Sequence, residues 1–149
     1  VRADCATVLL RFLSCPPTRA CIRAYMSVSH QKWYSGHNAS QILAGGLKRS
    51  DKGMLGPGIY WSDNVVKAKA YADGAILRLS VAQGKTQQID RQDHPMRVTW
   101  VSAGFHTAVV PPNCGMVKSG LSEMCTFYPE RVTVVGVSRD NGQSWVAHP

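Results

Sequence analysis

The stretch from Gly53 to Asp63 constrains the fold more than any other part of the chain. It reads Gly53-Met54-Leu55-Gly56-Pro57-Gly58-Ile59-Tyr60-Trp61-Ser62-Asp63. Its three glycines let the main chain turn tightly and come close to a ligand, and Pro57 stiffens the turn between them. Ile59, Tyr60 and Trp61 are strand formers. The stretch therefore predicts a tight turn that leads into a short strand at 58–61.

A helix is predicted directly after this strand. Asp63 and Asn64 are both good N-cap residues, and the residues after them favour a helix over 64–71 that carries Tyr71 at its end. Tyr71 follows Tyr60 by eleven residues. Two rings placed in this way can face each other across a slot and sandwich a flat heteroaromatic group. The alternative interpretation is a tight turn before a core strand, with both tyrosines packed in the interior.

The remaining pattern is one of many short strands and few helices. Strands are predicted at 21–29, 76–81, 86–89, 124–128 and 132–137, a helix at 38–45, and a loop or short helix at 91–97. Asp140-Asn141-Gly142 predicts a hairpin turn. Because strands and helices do not alternate regularly, we expect an α+β fold rather than a doubly wound sheet. The sequence also lacks the GxGxxG fingerprint of a dinucleotide-binding βαβ unit.

The length of 149 residues suits a single domain with one core. The sequence contains no apolar run of eighteen residues, so we predict no membrane span. We expect the protein to be a monomer. The formal net charge is +8. Up to Gly56 there are eight basic residues and two acidic ones, a surplus that would attract a pyrophosphate cofactor and equally nucleic acid.

The five cysteines are odd in number and contain no CxxC pair. A complete disulfide framework and a zinc site are therefore not predicted. Free thiols favour a reducing compartment, either cytoplasm or nucleus. Secretion remains the alternative, because the sequence starts at Val1 and a removed signal peptide would leave such a start.

Two blocks of the sequence resemble a known family. The frame Gly58-Ile59-Tyr60, Asp63, Lys67 and Tyr71 is similar, without gaps, to the signature of the poly(ADP-ribose) polymerase (PARP) catalytic domain, a diphtheria-toxin-like ADP-ribosyltransferase. The second block adds Trp100, Gly104-Phe105-His106-Thr107-Ala108, Pro111-Pro112-Asn113-Cys114-Gly115-Met116, Ser119-Gly120-Leu121, Glu123, Cys125 and Pro129-Glu130-Arg131-Val132. This block looks like the small PARP-like proteins induced by virus and interferon in fish. Together the blocks and the helix between them cover about residues 25–137.

The resemblance implies two small, mostly antiparallel sheets that form a cleft for NAD+. It places this domain at residues 21–149 and leaves residues 1–20 as an N-terminal flank. It implies that Glu123 is the catalytic carboxylate beside the ribose, and that Tyr60 and Tyr71 hold the nicotinamide. The full set of NAD+-binding residues that it implies is His30, Gln31, Gly58, Tyr60, Trp61 and Tyr71, with Glu123, Tyr60 and His30 as the catalytic trio and no metal. The family often has a serine three residues before the second tyrosine, where this sequence has Ala68.

The histidine of the family's first motif has three candidate positions. Ser29-His30-Gln31 lies at the end of the predicted strand 21–29 and fits if the following loop is two residues longer than usual. Tyr34-Ser35-Gly36-His37 fits with serine in place of histidine, and ungapped counting arrives at Lys32. We choose His30, because a strand end that points into a cleft suits a ligand-binding imidazole.

The expected activity is therefore NAD+-dependent mono-ADP-ribosyl transfer to a protein or nucleic-acid acceptor, with release of nicotinamide. The resemblance to the fish proteins adds a role in antiviral defence. One alternative is an inactive module that binds NAD+, ADP-ribose or nucleic acid without turnover. Another is an RNA 2'-phosphotransferase, whose basic motifs are echoed by Ile22-Arg23-Ala24 and Gly46-Leu47-Lys48-Arg49. Fold alone does not decide among these.

Overall fold

The computed structural model describes residues 33–36 and 38–149, and these contain two four-stranded sheets and two short helices. These residues belong to one compact unit, Gln31–Pro149. The predicted flank 1–20 and strand 21–29, and also His30, Gln31 and His37, lie outside the described residues. In chain order the elements are β1 (Trp33–Ser35), α1 (Ala39–Gly45), β2 (Ile59–Trp61), α2 (Val65–Ala70), β3 (Ile76–Val81), β4 (Thr86–Gln88), β5 (Thr107–Val110), β6 (Glu123–Thr126), a 3-10 turn (Pro129–Arg131), β7 (Val132–Ser138) and β8 (Val146–Ala147).

The first sheet has the order β1-β3-β7-β8 and is antiparallel throughout. The second sheet has the order β2-β6-β5-β4 and is antiparallel except for the parallel pair β4 and β5. The sheets meet where β1 runs past the end of β2. There the Tyr34 N–H donates to the Ser62 carbonyl at 2.8 Å, and the Ser62 N–H donates to the Tyr34 carbonyl at 2.9 Å. The predicted α+β class with two mostly antiparallel sheets is confirmed.

Two apolar clusters cover the two faces of the second sheet. The first is shared with the other sheet, since Ile59, Trp61 and Met124 pack in it with residues of β3 and β7. The second lies on the opposite face and contains Trp100 and Cys125 among its fully buried members. Neighbouring residues of β6 thus enter opposite clusters, as the two-residue period of a strand requires. Apolar packing on both faces therefore holds the second sheet, and the side chains that it carries, in place.

Most predicted elements are found close to their predicted places, and two strands were missed. β1 is only three residues long and contains a serine, so it carries little pattern. β5 has three of its four residues buried, including Thr107, and therefore shows no alternation of apolar and polar residues. Residues 91–97 form turns and no helix. Within the described ranges, no helix is long and apolar enough to cross a membrane.

The hairpin predicted from Asp140-Asn141-Gly142 joins β7 and β8. Its turn is organised by Asp140, whose carboxylate accepts hydrogen bonds from the Gln143 N–H at 3.1 Å and the Ser144 N–H at 2.9 Å. The hydroxyls of Ser138 and Ser144 donate to the same carboxylate, and together these donors hold the pKa of Asp140 below its ordinary value.

Candidate active site

A cavity of about 260 Å³ opens where the two sheets meet. Its walls come from the end of β1, from β2, from one face of α2, from the first residue of β6 and from the glycine-rich turn before β2. The lining residues are Tyr34, Ser35, Gly36, Ser50, Lys52, Gly53, Met54, Tyr60, Trp61, Ser62, Lys67, Ala68, Tyr71 and Glu123. Elements distant in sequence thus meet around one space.

Tyr60 forms a wall of this cavity, and its hydroxyl is fixed by the turn that precedes it. The hydroxyl accepts a hydrogen bond from the Leu55 N–H at 2.9 Å and donates to the Gly56 carbonyl at 2.7 Å. Gly53 lies against the ring so closely that a Cβ at this position would overlap it. A further hydrogen bond fixes this turn, because the buried indole N–H of Trp100 donates to the Leu55 carbonyl at 2.7 Å. Trp100 therefore acts on the cavity through the turn that positions Tyr60.

We expect Tyr60→Phe to destabilise the fold by about 1–3 kcal/mol, the cost of leaving polar groups without their partner. The ring and its packing remain, but the Leu55 N–H loses its acceptor and the Gly56 carbonyl loses its donor. Urea denaturation measures the change, and Tyr71→Phe serves as the matched control because the Tyr71 side chain is exposed. Equal stabilities of the two variants would contradict the role given to the Tyr60 hydroxyl.

Burial raises the pKa of two neighbouring side chains, Tyr60 and Cys125. Desolvation raises the pKa of the Cys125 thiol to about 12, and it also raises the pKa of the Tyr60 hydroxyl well above its ordinary value. Cys125 lies beside Tyr60 on the neighbouring strand. Both side chains are therefore neutral in the folded protein at physiological pH.

The stability of the protein should consequently fall as the pH rises above about 9, the ordinary pKa of a thiol. Above that pH the unfolded chain loses protons that the folded chain retains, so alkali favours unfolding; the loss continues up to the raised pKa of about 12. Thermal unfolding followed across this range checks the slope. Cys125→Ala should unfold at a lower temperature at neutral pH but lose less between pH 9 and pH 10, roughly the interval before tyrosine ionises. Parallel curves for the two proteins would contradict this assignment.

The helix α2 contributes the opposite wall. Its N-terminus is capped by Asn64, whose side chain accepts a hydrogen bond from the Val66 N–H at 2.9 Å. Lys67 and Tyr71 are four residues apart and so project from the same face. Ala68 lies between them and is buried, whereas Tyr71 is 56% exposed at the mouth of the cavity.

Glu123 reaches the cavity from the first residue of β6. Its carboxylate forms an ion pair with the Lys67 ammonium at 2.5 Å, and both side chains are largely buried, with exposures of 16% and 6%. The start of β6 is fixed by Ser62, whose hydroxyl donates to the Ser122 carbonyl at 2.8 Å, while the Ser122 hydroxyl donates to the Asp63 carboxylate. The structure thus places the ion pair of Glu123 and Lys67 in the wall of the cavity.

The end of β1 closes the remaining side. Ser35 is buried with 6% exposure, and Gly36 follows it. A Cβ at Gly36 would run into the Ala68 carbonyl and approach the Ala72 nitrogen at 2.9 Å, so only glycine allows the end of β1 to come this close to the end of α2. This backbone contact sets the distance between two walls of the cavity.

A second cavity, of about 250 Å³, adjoins the first and shares Ser35, Ser50 and Tyr60 with it. Its other lining residues are Asn38, Gln41, Ile42, Gly46, Lys48, Arg49, Gly58 and Ile59. Arg49 is held by the Phe127 ring, whose centroid lies 4.0 Å from the guanidinium carbon. Among the described residues, the charged groups that line the second cavity are thus both cations.

A third cavity, of about 450 Å³, adjoins the first on the side of α2. The two share Met54, Lys67, Tyr71 and Glu123. Glu123 and Lys67 therefore line both the first and the third cavity.

Four of the predicted site residues lie at the first cavity: Tyr60, Trp61, Tyr71 and Glu123. Trp61 is only 3% exposed, and its indole N–H donates to the Thr126 hydroxyl at 3.0 Å. Most of this side chain therefore packs in the core. Gly58 lines the second cavity instead. The predicted His30 and Gln31 lie outside the described residues.

Lys67 and Gly36 are among the residues of the first cavity that had been given no role from the sequence. Lys67 could have been found from its position four residues before Tyr71, which places both on one helix face. Gly36 shows no local signal, since its constraint comes from α2. Ser35 belongs to the alternative alignment of the first motif, in which it takes the place of the histidine. In the structure Ser35 lines both the first and the second cavity.

Among the residues that the structure describes, no group of three or more His, Cys, Asp or Glu side chains could hold a metal ion. In comparisons with known proteins, no family model matches the sequence and no curated protein is significantly similar to it.

Proposed function

We propose that this chain is an NAD+-dependent mono-ADP-ribosyltransferase domain. The observation that supports this most directly is the convergence of Tyr60, Lys67, Tyr71 and Glu123 on one cavity. These four residues come from two separate blocks of the sequence, and the resemblance to the PARP family rests on both blocks. A cavity with aromatic walls and one carboxylate suits a nicotinamide ring with its ribose.

In the proposed reaction the nicotinamide occupies the space between Tyr60 and Tyr71. The carboxylate of Glu123 accepts a hydrogen bond from a ribose hydroxyl and stabilises the positive charge that develops on the sugar as the bond to nicotinamide breaks. The ion pair with Lys67 holds this carboxylate in place. The acceptor then attacks the sugar carbon from the side of the third cavity, where Glu123 is also accessible.

The adenosine and pyrophosphate end of NAD+ would enter the second cavity. Lys48 and Arg49 supply positive charge there, and arginine binds phosphate oxygens through two parallel hydrogen bonds. The three shared residues, Ser35, Ser50 and Tyr60, would lie beside the middle of the dinucleotide.

The test is to incubate the full 149-residue chain with NAD+ labelled in its adenylate part, with and without a cell lysate. Free nicotinamide and transfer of the label are followed together. Release of nicotinamide with labelling of a protein or nucleic acid is the expected result. The absence of both, with no binding of NAD+ by calorimetry, would overturn the proposal.

The second candidate is a binding module that holds NAD+ or ADP-ribose without turnover. Ala68 favours it, since this residue lines the first cavity with a methyl group where the family often has a serine hydroxyl to bind the nicotinamide amide. Binding by calorimetry without nicotinamide release would select this candidate over the enzyme.

A further inference from the structure

Three aromatic rings lie in contact at one end of the second sheet: those of His106, Tyr128 and Phe127. β5 and β6 are antiparallel, with Thr107 opposite Thr126, so the residues before β5 and after β6 meet at this end. The Tyr128 ring contacts the other two edge-on, at centroid distances of 5.8 Å from His106 and 5.2 Å from Phe127. All three side chains are half-buried, so each presents part of its ring to solvent.

A lysine adds positive charge beside these rings. The Lys85 N–H donates to Nδ1 of His106 at 2.9 Å, and the Lys85 ammonium lies 4.4 Å from the centroid of the Phe105 ring. Since Nδ1 accepts a hydrogen bond, the neutral His106 ring carries its hydrogen on Nε2. Nε2 forms no hydrogen bond with a described residue and can therefore donate to a ligand.

An arginine adds a second positive charge at the same place. An added Cβ at Gly84 would lie 2.5 Å from Nδ1 of His106 and 2.9 Å from a guanidinium nitrogen of Arg131, so both side chains pack on this turn. Neither Arg131 nor Lys85 forms an ion pair with a described residue, and the same holds for the exposed Glu130. We call the following group the Tyr128 surface: Lys85, Phe105, His106, Tyr128 and Arg131.

The chemistry of this surface indicates the kind of partner that fits it. Proteins bind single-stranded nucleic acid by pairing cations with its phosphates and stacking its bases on aromatic rings. A duplex keeps its bases inside and would leave the rings unused, and an acidic protein segment would also use the cations alone. The formal net charge of +8 attracts a polyanion to the chain from a distance.

We infer that the Tyr128 surface binds single-stranded nucleic acid. A base stacks on the Tyr128 ring, while Lys85, Arg131 and the Nε2–H of His106 bind neighbouring phosphates. None of the five residues lines the three cavities described above, so the inference does not rest on the proposed function. Arg49 is not part of this surface, and its role at the second cavity is unchanged.

Fluorescence anisotropy with the full chain tests the inference. The probe is a labelled oligothymidylate of about 12 nucleotides, a length within the usual site size of single-strand binding proteins. A duplex of the same length and a polyglutamate of similar length are the competitors. We expect the single strand to bind more tightly than either, because it alone combines negative charge with accessible bases.

Variants of the surface separate stacking from charge. Tyr128→Ala should weaken binding about tenfold, the effect of one stacked base, whereas Tyr128→Phe keeps a ring and should retain the affinity. Lys85→Gln should lower the slope of log affinity against log salt concentration by about 0.7, the share of one phosphate contact. Glu130→Gln should tighten binding, because it removes a charge that repels phosphate. Thermal unfolding of each variant checks that it is folded.

Lys69→Gln is the matched control for Lys85→Gln, because Lys69 is exposed on α2 and lies outside the Tyr128 surface. Equal effects of these two substitutions would overturn the inference, since binding would then depend on net charge alone. Binding of polyglutamate or duplex as tight as that of the single strand would overturn it as well. So would the absence of binding at low salt, and each of these results leaves the proposed transferase activity intact.

Discussion

Under the proposed function, Glu123→Gln should lower the rate of nicotinamide release by about 100-fold to 1,000-fold, while binding of the dinucleotide changes little. This magnitude is typical of removing one group that stabilises charge in a transition state. The substitution keeps the shape of the side chain and removes only its charge. Since the proposed interaction of Glu123 is made with charge that develops only in the transition state, the loss should appear in kcat more than in KM.

The ion pair with Lys67 makes a matched control necessary for this experiment. Glu123→Gln leaves the buried Lys67 ammonium without its partner, which by itself destabilises the fold. The double variant Glu123→Gln with Lys67→Met removes both charges and serves as the control. It should recover stability and remain inactive, which separates the chemical role of the carboxylate from its structural one. A double variant with normal activity would contradict the catalytic assignment.

Gly36→Ala should destabilise the protein by about 3 kcal/mol, the upper end for an extra methyl group in a tightly packed place. The added Cβ would overlap the carbonyl of Ala68, and since this is backbone, β1 and α2 must move apart. For a domain of this size, the unfolding temperature should fall by roughly 10 °C. Calorimetry or circular dichroism measures the change.

Gly45→Ala is the control for that substitution. Gly45 is the last residue of α1, and a Cβ there would meet nothing within 4 Å. Alanine at this position should be neutral or stabilise by up to about 1 kcal/mol, because it favours the helix. If the two alanine variants unfolded at the same temperature, the close approach of β1 to α2 would be wrong.

The parts of the fold that the sequence predicted are those with local signals. Pro57 and its flanking glycines mark the turn, and the strand and helix that follow it are found within a residue or two of their predicted bounds. The coarse α+β class followed from the spacing of such signals. By contrast, β1 and β5 depend on the residues that pack against them. Their own residues show neither the strand period of two nor the helical period of 3.6.

Some residues of the candidate site could be chosen from the sequence, whereas the contacts between them could not. Tyr60, Tyr71 and Glu123 were chosen from the resemblance, and the structure places them around one cavity. The pairing of Lys67 with Glu123 joins residues far apart in the chain, and no local pattern encodes it. The role of Trp100 is equally hidden, because its hydrogen bond to Leu55 exists only after the second apolar cluster has formed.

The cavity lies where the two sheets are joined by the pair of backbone hydrogen bonds between Tyr34 and Ser62. A ligand in it would contact β1 of one sheet and β2 and β6 of the other at the same time. Its binding energy would therefore oppose the separation of the two sheets, and so oppose global unfolding. At a concentration 100 times its Kd, such a ligand would add about 2.7 kcal/mol to the free energy of unfolding. The melting temperature of this domain should thus report directly which candidate ligands occupy the cavity.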